Sequence, residues 1–284
     1  MNQHPPIPLK FVRLPARDCC ATQLARIAIV TPSYNQANYL KHTIHSVLEN
    51  GYPLLQYAVV DGGSRDETRS ILKSYSHCLA YWVSEPDRGQ SHAIQKGFER
   101  IDGEIMSYLN ADDILLPGAL RLVATYFAAH PEVDVVYGHR ILIDQSGLEI
   151  GRWMLPPHCN EATRRADYIP QETLFWRGEL YRRIGGIDTS FHYAMDWDLI
   201  LRFQAAGAIF HRLPHFLACF RVHESQKTNC ISESVGTAEV ELLRERELGK
   251  DKSKWKLHEH DEKIKNRALI TELAAKCGYR SPNL

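Results

Sequence analysis

The 284-residue chain has no surplus of either charge, with 34 Lys and Arg against 34 Asp and Glu. Binding driven by a phosphate backbone needs a basic excess, so bulk nucleic acid is excluded as its main partner. No apolar run approaches the ~20 residues that span a bilayer. Met1-Asn2-Gln3-His4-Pro5-Pro6 has no charged-then-apolar leader pattern. The seven cysteines, Cys19, Cys20, Cys78, Cys159, Cys219, Cys230 and Cys277, contain no CxxC pair and are odd in number. That argues against a zinc site or a disulfide framework and predicts a reduced, cytoplasmic protein. GxGxxG and GxxxxGK[ST] are both missing, so neither a standard dinucleotide fingerprint nor a P-loop is present. The rest is ordinary: 44% hydrophobic and 24% charged residues are globular usage, too apolar for widespread disorder.

Residues 1–25 are rich in proline and aperiodic, which predicts an extended lead-in. From residue 26, short apolar runs alternate with helical periodicity. Strands are expected at 26–31, 57–60, 79–84 and 104–109, and helices at 37–50, 66–75, 90–100 and 117–129. Asp66 can cap the second helix and Pro117 can open the fourth. This β-α alternation predicts an α/β fold: a Rossmann-like, mainly parallel sheet with helices on both faces. Such sheets bind ligands at the carboxyl ends of their strands. Four polar clusters follow the strands: Ser33-Tyr34-Asn35, Asp61-Gly62-Gly63-Ser64, Glu85-Pro86-Asp87-Arg88 and Asn110-Ala111-Asp112-Asp113.

The pattern changes near residue 133. A strand at 133–137, a hairpin around Asp144-Gln145-Ser146-Gly147, helices at 178–184 and 195–206, and strands at 209–213 and 217–222 predict a mixed second half. Residues 233–276 interleave Glu, Lys and Arg, which predicts one or two surface helices. The expected divisions are therefore 1–25, 26–132, 133–230 and a helical tail at 231–284.

Three features carry chemistry. The adjacent carboxylates Asp112 and Asp113 repel each other unless a cation lies between them and a ligand, and a divalent ion bridging to a diphosphate meets that need. A plain helix-capping loop is the other reading. The glycines of Asp61-Gly62-Gly63-Ser64 allow close backbone approach to a ligand, although a tight turn alone also accounts for them. In Met195-Asp196-Trp197-Asp198, capping is one reading, and a single carboxylate facing a substrate as general base is the other.

Taken in order, Thr31-Pro32-Ser33-Tyr34-Asn35-Gln36, Val59-Val60-Asp61-Gly62-Gly63-Ser64-Arg65-Asp66, Glu85-Pro86-Asp87-Arg88-Gly89-Gln90-Ser91-His92-Ala93, Tyr108-Leu109-Asn110-Ala111-Asp112-Asp113, Gln171-Glu172-Thr173 and Tyr193-Ala194-Met195-Asp196-Trp197-Asp198 resemble the family 2 glycosyltransferases of the GT-A fold, of the bacterial polysaccharide type. The resemblance covers about residues 26–228. It implies a nucleotide-sugar donor, a UDP-sugar first, and inverting transfer to a hydroxyl of a glycan or lipid-linked acceptor. It implies a nucleotide-sugar site of Pro32, Tyr34, Asn35, Asp61, Gly63, Asp87, Gln90, Asn110, Ala111 and Asp112. It also implies a divalent metal, Mn2+ or Mg2+, on Asp112, Asp113 and His223, with Asp196 as catalytic base and Gln171, Trp197 and Asp198 on the acceptor side. Two departures stand out. Asn110 replaces the first Asp of the DxD-type element, and Met195 replaces the Glu that often precedes the base. They keep open a binding module with little or no catalysis. A metal-dependent nucleotidyltransferase is disfavoured because no Gly-rich, basic phosphate loop lies near the N-terminus. Lys252, Lys254, Trp255 and Lys256 offer a peripheral contact with the inner face of the membrane, and a soluble surface helix is the plainer reading of that tail.

Overall fold

The computed structural model describes residues 2–9, 14, 24–224, 226 and 235–255. Strands β1 (Asn2–Ile7), β2 (Ile27–Ser33), β3 (Leu55–Asp61), β4 (Tyr81–Ser84), β5 (Ile105–Tyr108), β6 (Ile114–Leu115), β7 (Val135–Ile143), β8 (Glu149–Trp153), β9 (Phe175–Arg177) and β10 (Phe210–Arg221) form one sheet. The helices are α1 (Ala37–Leu48), α2 (Thr68–Tyr75), α3 (Gln90–Phe98), α4 (Ala119–Ala129), α5 (Asn160–Thr163), α6 (Gly178–Arg183), α7 (Met195–Ala205) and α8 (Thr237–Leu248).

The first half follows the sequence pattern. Strands β4, β3, β2 and β5 lie side by side and parallel. Strand β2 is buried along its length because both faces are covered. Ala28 and Val30 join the core under α3 and α7, while Ile27 and Ile29 join the core under α1, α2 and α4. The chain steps from β2 to β3 to β4, then returns through α3 to β5 on the other side of β2. That reversal opens a crevice at the carboxyl ends of β2 and β5. Helix α3 lies close on β2, since a Cβ on Gly97 would fall 2.5 Å from Val30 Cγ1.

The second half extends the same sheet. Strand β9 runs antiparallel to β5, β7 antiparallel to β9 and β8, and β10 parallel to β7. Strand β10 is one 12-residue strand where two were expected. Its register slips between Arg212 and Phe216, around Pro214, which has no N–H for the ladder. Residues 2–7 are more than a lead-in: they form edge strand β1, with Asn2 opposite Arg152. Pro5 and Pro6 are tolerated because the strand lies at an edge. Helix α4 starts at Ala119, two residues beyond Pro117, after Gly118 in the left-handed region.

The charged tail is not simply a solvated face. Leu243 of α8 is fully buried. Arg246 of α8 donates to Asp198 at 2.6 Å, and Arg244 lies over the Trp197 ring. Lys252 pairs with Glu241 at 2.8 Å and covers the Trp255 ring, whose indole donates to the Gly249 carbonyl at 2.8 Å. Lys256 lies outside the described residues. No described helix is long and apolar enough to cross a membrane. Cys78, Cys159 and Cys219 are free thiols.

His139 of β7 is a buried histidine whose Nδ1 accepts the Leu155 N–H at 3.0 Å. Burial, then the charges of Arg212 and His215, hold it down to about 3. Its folded value is depressed, so its stabilisation is present above the unfolded pKa of 6.5 and is lost as pH falls from there toward 3. Urea unfolding of the wild type should steepen by up to about 1.4 kcal/mol per pH unit in that window relative to His139→Gln. Equal pH slopes for the two proteins would rule out this role.

Candidate active site

Four strand-end loops meet at the crevice. The Asp61 carboxylate closes β3 and is fully buried. It accepts the Ser64 N–H at 3.0 Å, the Ser64 hydroxyl, and the Ser84 hydroxyl at 2.7 Å. These donors satisfy the buried carboxyl oxygens and bind the β3 loop to the end of β4. The Ser64 hydroxyl oxygen also accepts the Asn35 N–H at 2.7 Å. Asn35 sits in the left-handed region, φ 53°, and its side-chain oxygen accepts the Arg65 N–H at 3.0 Å. Asp66 accepts N–H groups from Ala37 and Thr68, so it ties the start of α1 to the start of α2. Between these clamps Pro32 is the penultimate residue of buried strand β2, and Tyr34 stands 59% exposed on the rim.

The β4 loop folds over the glycines. A Cβ on Gly62 would meet Asp87 Oδ2 at 2.9 Å, so glycine there lets the carboxylate lie against the backbone. Gly63 adopts φ 83°. Asp87 accepts the Gly89 N–H at 2.8 Å at the start of α3. Gln90 donates to Asn110 at 2.6 Å, which joins α3 to the β5 loop.

The β5 loop is held from two sides. The Thr43 hydroxyl of α1 lies 2.8 Å from both the Ala111 and Asp113 carbonyls and shares its proton between them. From β10, Arg221 donates its backbone N–H to the Asp113 carboxylate at 3.1 Å and its Nε to the Asp112 carbonyl at 2.9 Å. The two acidic side chains then part. Asp113 is buried, and burial, the charge of Asp112 and that of Glu172 push its carboxyl well above the ordinary carboxylate range. The Asp112 carboxylate stays partly exposed, 3.0 Å from His223 Nε2. The His223 ring packs on Tyr39.

Asp196, half-buried in the first turn of α7, faces this edge from the second half. The Ser91 hydroxyl donates to the Phe191 carbonyl at 2.8 Å and joins α3 to the turn before α7. Asp196 accepts the Trp197 N–H at 2.9 Å. It lies close enough to raise both the buried Tyr108 phenol and the Asp167 carboxyl. Asp167 is open to solvent yet ringed by protein, and that surrounding and Asp196 both push its carboxyl up.

Two groups of expected residues take other roles. Trp197 and Asp198, expected on the acceptor side, are buried among protein partners. The Trp197 indole donates to the Thr163 carbonyl at 2.7 Å, and Asp198 accepts from Arg202 at 2.7 Å and from Arg246. Gln171 is buried beneath the cleft, where its amide donates to the Tyr108 carbonyl at 2.5 Å. The three expected metal ligands do not gather: among the described residues no group of three or more His, Cys, Asp or Glu side chains forms a cation site. Asp112 and His223 alone offer a carboxylate oxygen and an imidazole nitrogen side by side. Those are ligand types that a divalent ion accepts, and two protein ligands would leave positions for other donors. Arg221, Thr43 and Asp167 carry no local sequence signal, since each works through a partner distant in sequence, and Asp66, expected as a cap for α2, also ties down the start of α1.

The Glycosyl transferase family 2 model matches residues 28–195, more than half of the chain. The chain belongs to this family. It is 29% identical over 215 residues to the uncharacterized glycosyltransferase RT0329 of Rickettsia typhi, covering 72% of this chain and 66% of that protein, just under two thirds of its length. Over 90 residues, 31% of this chain and 36% of the relative, it is 34% identical to the putative teichuronic acid biosynthesis glycosyltransferase TuaG of Bacillus subtilis. Among solved structures, S. aureus TarS 1–349 in complex with UDP-GlcNAc aligns with a TM-score of 0.64 and 18% identity, over 91% of this chain and 74% of that one. The Pyrobaculum calidifontis mannosyltransferase PcManGT in complex with GDP-Man and Mn2+ aligns at 0.58 and 20%, over 91% and 77%. The fold is therefore the GT-A α/β arrangement.

The loop clamp makes one prediction. Hydrogen bonds from Thr68 and Ala37 outweigh burial and hold the Asp66 carboxyl below the ordinary range. Its folded value is depressed, so its stabilisation is present above the unfolded pKa near 3.8 and is lost as pH falls through the lower folded value. Asp66→Asn should cost about 1 kcal/mol at pH 7, the low end for an exposed cap. The gap from wild type should narrow as pH falls from 3.8 through that lower folded value. A urea midpoint difference that is as large in strong acid as at pH 7 would contradict it.

Proposed function

We propose that this chain transfers a sugar from a nucleotide-sugar donor, UDP-linked first, to a hydroxyl of a glycan or lipid-linked acceptor, with inversion. The observation that carries the proposal is the pairing of Asp112 with His223 at 3.0 Å beside the crevice, with Asp196 facing the same edge. The presence of UDP-GlcNAc and of GDP-Man with Mn2+ in the neighbouring structures supports a nucleotide-sugar donor. The TuaG relative supports an acceptor in polysaccharide synthesis.

In this reading Tyr34 stacks on the nucleobase, and the Asp61 loop, with Pro32, Asn35 and Gly63, fits its edge and the ribose. Asp87, Gln90, Asn110, Ala111 and Asp112 line the path of the ribose and diphosphate. Mn2+ or Mg2+ held by Asp112 and His223 would supply charge neutralisation on the leaving diphosphate, with Asp113 fixing the loop from behind rather than ligating. Asp196 removes the proton from the acceptor hydroxyl. The freed oxygen attacks the anomeric carbon from the face opposite the departing nucleoside diphosphate. One displacement, with no covalent enzyme intermediate, inverts the centre. Asp167, whose carboxyl is raised by burial and by the charge of Asp196, places a second acidic side chain near the base where Met195 replaces the family's Glu.

Isothermal titration with UDP, GDP and dTDP, each with and without Mn2+, tests the donor site. One nucleotide should bind in a metal-dependent way, and Asp112→Asn should remove the metal dependence. Asp196→Asn should lower release of nucleoside diphosphate by about 100-fold or more, with nucleotide affinity within about twofold of wild type. A folded protein that binds none of the three nucleotides would overturn the donor reading. An Asp196→Asn variant with near-normal turnover would overturn the base.

A further inference from the structure

Helix α7 begins without a cap of its own. Its N-cap residue is Ala194, whose methyl side chain accepts nothing. The N–H groups at that point are taken from outside. The Glu239 carboxylate of α8 accepts the His192 N–H at 2.7 Å and the Tyr193 and Ala194 N–H groups at 2.8 Å each. Three charge-assisted bonds to one carboxylate are a strong, directional hold on a turn. Helix α8 grips the neighbouring residues as well. Gly236 lies against the Tyr193 ring, Arg244 lies over Trp197, and Arg246 binds Asp198. Asp196 is thus bracketed on both sides by contacts from one helix. That helix lies beyond residue 195, where the family match ends.

We propose that Glu239 is a positioning residue for Asp196: from α8 it caps the turn before α7 and fixes the carboxylate toward the acceptor. The inference rests on the reading of Asp196 as the base. An uncapped helix start can fray, and a displacement of about 1 Å at a reacting group costs on the order of 100-fold in rate. The Glu239 carboxylate also brings a negative charge to the Ala194 N–H, two residues before Asp196 in sequence. The groups that share a charge interaction with Asp196 are Tyr108 from β5, Asp167 from the loop after α5 and Tyr193 from its own turn; from α8, Glu239, Arg244 and Arg246 contact its neighbours Tyr193, Trp197 and Asp198. With Glu239 present, the N–H groups before α7 are committed to its carboxylate. Removing it takes away a negative charge and releases three donors, and both changes favour ionised Asp196.

The test uses the full chain and four variants: Glu239→Gln, Glu239→Ala, Asp196→Asn, and Glu241→Gln as a control that removes the same charge from the same helix at an exposed pair. Two readouts need no substrate. In a 13C NMR titration, the Asp196 carboxyl, assigned by its loss in Asp196→Asn, should move down by about half a pH unit in Glu239→Gln and not at all in the control. Amide exchange at residues 192–194 should accelerate at least ~10-fold in Glu239→Ala. With UDP-GlcNAc and Mn2+ as the probe, release of UDP should fall about 10- to 100-fold in both Glu239 variants, with UDP affinity unchanged. If Asp196→Asn is inactive while Glu239→Gln leaves the titration and turnover at wild-type values, the base reading stands and the Glu239 assignment falls. If turnover survives Asp196→Asn, the base reading fails, and the positioning role fails with it.

Discussion

The site depends on how a buried carboxylate is satisfied. Asp113 lies between β5 and β6, and β6 pairs antiparallel with β10; its carboxyl accepts the N–H of Arg221 at the end of β10 while the Arg221 side chain crosses to the Asp112, Asp144 and Gln145 carbonyls. One residue therefore fastens the β5 loop, the end of β10 and the β7–β8 hairpin. Losing one partner would strand a polar group in the interior, which costs more than the bond itself contributes. Because Asp113 is anchored inward, its neighbour Asp112 must face outward, and the hydrogen bond to His223 follows from that orientation. The two adjacent acids divide the work: one holds the loop and the other is available to a ligand.

Negative charge accumulates on the cleft side of the sheet, where Asp112, Asp113, Asp167, Glu172 and Asp196 share a region. The fold offsets it unevenly. Arg140 meets Glu172 through two bonds of 2.6 Å and lies between the Trp153 and Phe220 rings. That pairing neutralises the carboxylate nearest the core. Asp113 and Asp167 receive less compensation, and both are pushed toward the protonated form. A cleft with this balance favours cations and repels further anions unless a cation accompanies them.

The first half of the sheet was legible because each strand there is a short apolar run closed by a polar cluster, and because β2 is buried on both faces. Site residues at strand ends were legible for the same reason: Asp61, Asp87, Asn110 and Asp112 follow strands, and the sheet carries them to one edge. Residues held by long-range contacts were not legible. Asp167 has no local pattern. Trp197 and Asp198 sit beside Asp196 in sequence, but the helix turns them into the core, and only the partners Thr163, Arg202 and Arg246 reveal it. Edge strand β1 was hidden by Pro5 and Pro6, which weaken a strand signal and are harmless at an edge. Glu239 and Arg246 read as a solvated face because composition cannot tell a carboxylate in water from one that meets three backbone N–H groups.

The contacts between α8 and the start of α7 also set an order of events during synthesis. The turn before α7 is complete at residue 194, yet its acceptor is 47 residues away for His192. A chain still emerging from the ribosome can assemble β2 to β5 and the loops that receive a nucleotide well before Glu239 and Arg246 are available. The strand-end loops of the first half then close first, and the α7 turn is locked only when α8 docks. A nascent chain, or one clipped before α8, would lack the acceptor that holds the turn carrying Asp196.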